Sequence, residues 1–261
     1  MKGNTTPGII SYDQDAYEPT LNAIVREIKE YSERLEKDPE DLDSLLNRAH
    51  LYYSISNIDQ AFDDYCGVLS INPMHPNGLI GKGACLNDMR RFSEALACYD
   101  LAIRLYPDFG YAYMNRGNTH GNIGEFKKAF FDQSKAIELF PDEAQCYYNR
   151  AVTSEKLRQF EQVLNDCEKA LSINPFLTDA HFKRGNAYLN TDRYLQAIDE
   201  YKKVLVVQPK NIDALFNIGI CYDYSNDPKQ ALIFFEKAAL LGDTEARQMI
   251  EKMQDKIRKS Q

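Results

Sequence analysis

The sequence predicts an all-α solenoid of stacked helical hairpins, and two recurrences carry that expectation. Prolines return without a gap at Pro39, Pro73, Pro107, Pro141, Pro175 and Pro209, 34 residues apart each time. Small residues keep the same ruler. With positions counted from Leu42, Pro76, Gly110, Ala144, Thr178 and Ile212, position 8 reads Ala49, Gly83, Gly117, Ala151, Gly185 and Gly219. Position 20 is Ala61, Ala95, Ala129, Val163, Ala197 and Ala231, and position 27 is Val68, Ala102, Ala136, Ala170, Val204 and Ala238. A fixed period of this length marks a repeat architecture. The six units cover residues 42–245. Small residues at recurring places are where helices cross closely and a larger side chain would hold them apart.

Each unit reads as two helices with a short polar break between them. In the unit 110–143, Tyr113, Gly117 and His120 step by helical intervals, and Phe126, Ala129, Phe130, Ala136 and Ile137 form a second stripe. The segment from Asn122 to Glu125 separates them. Proline at position 32 then stops the second helix, because the residue before it avoids the α region. Such a hairpin cannot bury its faces alone and must stack on its neighbours. The units are 42–75, 76–109, 110–143, 144–177, 178–211 and 212–245. Ahead of them, within residues 14–41, Pro19–Lys37 reads as a charged amphipathic capping helix presenting Ile24, Ile28, Tyr31 and Leu35. Behind them, in 246–261, a capping helix and tail follow Gly242. Asp243 or Thr244 caps this helix, which runs to about Lys259 with Ala246, Met249, Ile250, Met253 and Ile257 inward. Residues 1–13 lack any pattern and read as a mobile tail.

These residues resemble a tetratricopeptide repeat (TPR) protein. The period, the small–Ala–Ala–Pro positions, Tyr52, Tyr188 and Tyr222 at position 11, and Ile58, Phe92, Phe126, Phe160 and Tyr194 at position 17 all match. Position 4 never holds the family's tryptophan, and the sixth unit carries Pro228 at position 17 and Asp243 where the closing proline belongs. The resemblance implies a right-handed superhelix whose concave face, built by the first helix of each unit, receives protein partners.

Composition bounds the function classes. In 261 residues, 44% are apolar and 27% charged, which suits a folded chain with its own core. The net charge of −8 argues against a nucleic-acid partner, whose phosphates demand cations. No apolar run approaches a membrane span, and the first residues lack the apolar stretch of a secretory signal. Cys66, Cys85, Cys98, Cys146, Cys167 and Cys221 stand singly, which reads as reduced core thiols of a cytoplasmic protein.

Position 7, usually leucine in the family, is basic in five units: Arg48, Lys82, Arg116, Arg150 and Arg184. Position 23 is acidic in four of those five: Asp64, Asp132, Asp166 and Glu200. The sixth unit has Ile218 with Phe234, and the second has Lys82 with Cys98. Charges that come and go together predict a partly buried ion pair inside each hairpin rather than a row of anion-binding arginines.

No catalytic constellation stands out. His50, His75, His120 and His181 fall in four different units, and no metalloprotease, nucleophile-elbow or phosphate-loop motif is present. The sequence therefore predicts neither an enzyme nor a metal or organic cofactor. By the resemblance, positions 2, 5, 6, 9, 12 and 13 line the concave face. Position 6 holds Asn47, Asn115, Asn149 and Asn217, position 9 adds Asn118 and Asn186, and position 13 adds Asn122 and Asn190. An exposed asparagine is a mediocre helix former, and its amide matches the C=O and N–H of a peptide backbone. Beside it run Leu46, Ile80, Met114, Tyr148, Phe182 and Phe216 at position 5, with Tyr111 from position 2. Part of this apolar stripe is equally accounted for by packing between units. The pattern predicts a scaffold or adaptor gripping an extended, partly apolar peptide. Two alternatives stay open: a chaperone for apolar client segments, and self-assembly of copies through the terminal helices. The lysines by which some family members hold acidic C-termini are absent from position 5, and Asp43, Asp179 and Asp213 occupy position 2.

Overall fold

Side-chain caps start several of the helices, and a left-handed turn ends the first helix of every repeat. The computed structural model describes residues 14–259 and contains fourteen helices and no strand among them. They divide into two compact units, one ending at Gly124 and one beginning at Glu125. The first holds α1 (Gln14–Lys37), α2 (Leu42–Ser54), α3 (Ile58–Ile71), α4 (Pro76–Asp88), α5 (Phe92–Leu105) and α6 (Gly110–Asn122). The second holds α7 (Phe126–Leu139), α8 (Ala144–Lys156), α9 (Phe160–Ile173), α10 (Thr178–Asn190), α11 (Tyr194–Val207), α12 (Ile212–Tyr224), α13 (Pro228–Leu240) and α14 (Thr244–Lys259). None of these helices is long and apolar enough to cross a membrane. Helix α1 begins at Gln14, ahead of the Pro19 at which the apolar pattern starts. The expected mobile tail, residues 1–13, lies outside the described residues.

Asp41, Asn211, Asp227 and Asp243 accept the backbone N–H three residues on, at 3.1, 2.9, 3.1 and 2.8 Å. Each such cap is worth about 1 kcal/mol. The break between the two helices of a repeat ends in a residue of positive φ at position 15. Ser56, Arg90, Arg158, Asp192 and Asn226 all lie at 57–60°, and Gly124 lies at 80°. In five of these turns the next N–H bonds back five residues to a helix carbonyl, as in Asn57 to Tyr52 and Arg91 to Leu86, both within 2.9 Å. This is the Schellman arrangement, which satisfies orphan carbonyls at the helix end.

Within each unit every helix packs on the one before it, and α2 also touches α4, α4 touches α6 and α8 touches α10. The small positions lie at these crossings, with Ala49, Ala61, Val68, Ala95 and Ala102 at 0% exposure. Glycine at position 8 accommodates a ring from position 24 of its own hairpin. A Cβ on Gly83, Gly185 or Gly219 would come within 2.5–2.7 Å of Tyr99, Tyr201 or Phe235. Tyr65 instead reaches forward onto Gly81, where a Cβ would lie 2.2 Å from its ring. Position 4, lacking tryptophan, ties neighbouring repeats together by polar contacts: Tyr147 Oη donates to the Pro141 carbonyl at 3.0 Å, and His181 Nε2 meets the Pro175 carbonyl at 3.2 Å.

The expected intra-hairpin ion pairs form at Arg48–Asp64, Arg150–Asp166 and Arg184–Glu200. Arg48 and Arg150 each grip their carboxylate with two nitrogens at 2.7–3.0 Å, and Arg184 Nη2 reaches both oxygens of Glu200 at 2.9 Å. The guanidinium also reaches back to the preceding hairpin or cap: Arg48 to Ser32 Oγ at 2.9 Å, Arg150 to Ser134 Oγ at 3.1 Å, and Arg116 to Asp100 at 2.7 Å. The remaining expected pair has one member in each unit, Arg116 in the first and Asp132 in the second.

Candidate functional site

The first helices of the repeats carry the asparagines, and each unit holds its own set. In the first unit, Asn47 of α2 is exposed and donates Nδ2 to the Asp43 carbonyl at 2.8 Å. Asn115 of α6 is half-buried and donates to the Tyr111 carbonyl at 3.0 Å. Both bond one turn back along their own helix. That uses one of the two N–H groups and leaves the carbonyl oxygen's capacity unspent by this bond. Asn118 is half-buried, and exposed Asn122 donates to Asn87 Oδ1 at 3.1 Å. Thr119 Oγ1 shares that acceptor at 3.0 Å, so α4 and α6 are joined by a polar cluster. Tyr53 Oη, on α2, donates to Asp88 at 2.7 Å and joins α2 to α4 in the same way. Burial, followed by this bond, pushes the Tyr53 phenol well above its usual range. Tyr111 and Met114 are half-buried, and Phe109 meets Tyr111 edge-on at 5.9 Å.

In the second unit, Asn149 of α8 accepts Gln145 Nε2 at 2.7 Å. Asn186 of α10 is committed to packing. Its Oδ1 accepts Tyr201 Oη at 2.7 Å and Asn217 Nδ2 at 3.4 Å, and its backbone carbonyl accepts Asn190 Nδ2 at 2.8 Å. The aromatic stripe is likewise half-buried. Tyr148 lies against the cluster of Ala144, Tyr147, Ala170, Leu171 and Ala180. Phe182 meets Tyr201 at 5.6 Å and Phe216 meets Phe235 at 5.5 Å, both tilted. Phe182 and Phe216 thus meet rings of their own hairpins, and all three side chains present only part of their surface. Lys183, breaking the asparagine column at position 6, bonds Glu155 of α8 at 2.7 Å.

Sequence reasoning placed position 12 on this face but named no residue there. Asn87, Glu155 and Asp223 all sit there, and each receives donors from a later helix of its unit. Asp223 is 6% exposed at its side chain and takes Lys252 at 3.2 Å and Lys256, both from α14. The signal was available as an acid or amide at position 12 facing a base or amide one repeat on. In the second repeat Gly81 interrupts the asparagine column because the Tyr65 ring fills the space. The thiols divide into two groups. Cys85, Cys146, Cys167 and Cys221 are buried, which pushes each up to about 12, while Cys66 and Cys98 are half-buried and so depart from the core reading. Among the described residues no three His, Cys, Asp or Glu side chains are grouped to hold a metal ion.

Comparison with known proteins agrees with the fold. Three family models described as tetratricopeptide repeat match residues 110–143, 144–177 and 182–247. No curated protein matched the chain. Among solved structures, a chain of the "APC/C hetero-tetramer Cut9-Hcn1" is similar with a TM-score of 0.73 at 17% identity over 93% of this chain. The chain spans about half of that relative's length, 49%. "YrrB: a TPR protein with an unusual peptide-binding site" gives 0.64 at 24% identity, covering 72% of this chain and 97% of the other. "MamA protein" gives 0.61 at 22% identity, covering 66% and 94%. These likenesses establish a shared fold. With the repeat models spanning about half its residues, the chain belongs to the tetratricopeptide repeat family.

Proposed function

We propose that this protein is a non-catalytic scaffold or adaptor whose first-helix faces hold an extended peptide of a partner. The observation that carries the reading is the set of amides at positions 6, 9 and 13 beside half-buried apolar and aromatic residues at position 5. Asn47, Asn115, Asn118, Asn122 and Asn149 would pair with a peptide backbone, and Tyr111, Met114, Tyr148, Phe182 and Phe216 would contact its side chains. Asn190 and Asn217 belong to the same face, whereas Asn186 acts through them by fixing Tyr201. The similarity to a TPR protein described as having a peptide-binding site supports this reading. The net charge of −8 favours a protein partner over a nucleic acid, and six free thiols suit a cytoplasmic setting.

The test is a comparative capture read by mass spectrometry. One bait is the native chain and the other carries Asn115→Ala, Asn118→Ala and Asn149→Ala, with melting temperature matched. Proteins retained by the first bait and lost by the second support the reading; identical captures refute it. A second reading, a chaperone for apolar segments, draws on exposed Phe131, Phe176, Leu195, Val206 and Leu240, each at least 69% accessible. It predicts that the native chain and the asparagine variant suppress aggregation of a chemically unfolded reporter enzyme equally well.

A further inference from the structure

The cation at position 7 is braced from two sides by residues sixteen places before and after it. Arg48 and Arg150 hold carboxylates of their own hairpin at 2.7–3.0 Å and serine hydroxyls of the preceding helix at 2.9 and 3.1 Å. Arg116 reaches Asp100 at the preceding site at 2.7 Å. In the second repeat the cation is Lys82, and both bracing positions are cysteines: Cys98 on α5 takes the carboxylate's place and Cys66 on α3 the hydroxyl's. Helix α4, which carries Lys82, packs on both α3 and α5.

The three groups are electrostatically in reach of one another. Burial raises both thiols, and in each case the charge of Lys82 pulls the thiol back; Cys66 in turn acts on Cys98. The ammonium lies 5.8 Å from the Phe62 ring centroid. Among the described residues Lys82 makes no ion pair, in contrast to Arg48, Arg116, Arg150 and Arg184 at the same position. All three side chains are half-buried, so small molecules reach them while bulk solvent does not surround them. A chain stabilised only by packing needs neither a lysine between two sulfurs nor two thiols at sites that elsewhere hold a carboxylate or hydroxyl.

We propose that Lys82 with Cys98 and Cys66 is an oxidative modification site, in which the Lys82 amine becomes joined to one sulfur through a single oxygen atom. The oxidant is dioxygen. One amine and one thiol with one O2 give the N–O–S bridge and one water: an N–H and the S–H bond break, N–O and S–O bonds form, and the second oxygen atom leaves with the two hydrogens. Two equivalents of a dithiol reductant reverse the change: each gives two electrons and two protons as it becomes a disulfide, and together they cleave the bridge to amine and thiol and release its oxygen as water. Cys98 is the expected partner, since its position meets the cation at 3.0 Å or less in the three ion-paired hairpins. The bridge would tie α4 to α5, or to α3 if Cys66 reacts.

The experiment is peptide mapping by mass spectrometry of the full-length protein, held in air or kept anaerobic with dithiothreitol. The expected result is a Lys82 peptide linked to a Cys98 or Cys66 peptide, heavier by one oxygen and lighter by two hydrogens, present in air and released by dithiothreitol. The aerated protein should also melt at a higher temperature than the reduced protein. Lys82→Arg keeps the charge that the other repeats use and cannot form the bridge, so it should abolish both the linked peptide and the difference in melting. Cys98→Ser and Cys66→Ser decide which sulfur reacts. Three free side chains after aeration, a Cys66–Cys98 disulfide, or sulfinic acid without a link to Lys82 would each overturn the proposal.

Discussion

A carboxylate such as Asp166, 2% exposed, is tolerable in a hairpin core because Arg150 holds it with two nitrogens and neutralises its charge, with Gln162 Nε2 adding a neutral bond at 3.0 Å. Removing one partner strands the other without water, at a cost of about 3–5 kcal/mol, whereas an apolar pair of similar volume is tolerated. Arg150→Met should therefore lower stability by that amount in urea unfolding, and adding Asp166→Leu should recover most of it. The sixth repeat, with Ile218 and Phe234 at these positions, is the natural form of that double variant. Glu200 adds a pH signature. Burial works to raise its carboxyl, but bonds from His181 and Lys203 and the charge of Arg184 outweigh it and hold it below the usual 4.5. Its contribution is thus present above the unfolded value near 4.5 and fades as pH falls through the lower folded value. Glu200→Gln should flatten the acid limb of a stability–pH curve, and an unchanged acid limb would contradict this pairing. At Gly81 steric room decides. Gly81→Ala would press on the Tyr65 ring and should cost about 1–3 kcal/mol.

At the scale of elements, the turn inside each repeat demands a left-handed residue, and arginine fills it twice. Arg90 at φ 60° pays a steric cost that glycine avoids. Arg90→Gly should raise stability by about 0.5–1 kcal/mol in thermal melts, and Gly124→Ala should lower it by about as much. The opposite sign in either would mean that the turn relaxes. Helix α14 buries Ala246 and Met253 completely and delivers Lys252 and Lys256 to Asp223, so it packs on the sixth repeat as the first helix of a further repeat would. Met253→Ala should cost about 2–5 kcal/mol, a cavity in a seam that α14 shares with α13.

For the whole molecule, the period of the prolines and small residues makes the family legible, because stacking hairpins imposes the same crossing at every unit. The ion pairs were legible for a related reason: six copies of one site vary independently, so a pair that changes together shows its contact. The left-handed turn was not, since Ser56, Arg90 and Arg158 carry none of the usual glycine signal. The site was half legible. Residue type showed where amides lie, but the commitment of Asn186 to Tyr201 and of Asn122 to Asn87 depends on which neighbours the packing brings close. Position 12 escaped because its partners sit on another helix.

The central claim is that amides on the first helices hold a peptide backbone. It is tested most directly by fluorescence-anisotropy titration of a linear peptide selected on the native chain from a random phage-displayed library. Affinity is measured for the native protein and for the Asn118→Ala, Asn149→Ala variant at matched melting temperature. Loss of two backbone-pairing amides should weaken binding by about tenfold or more, the equivalent of ~1.4 kcal/mol. Equal affinity of the two proteins for that peptide would contradict the claim and place recognition elsewhere on the chain.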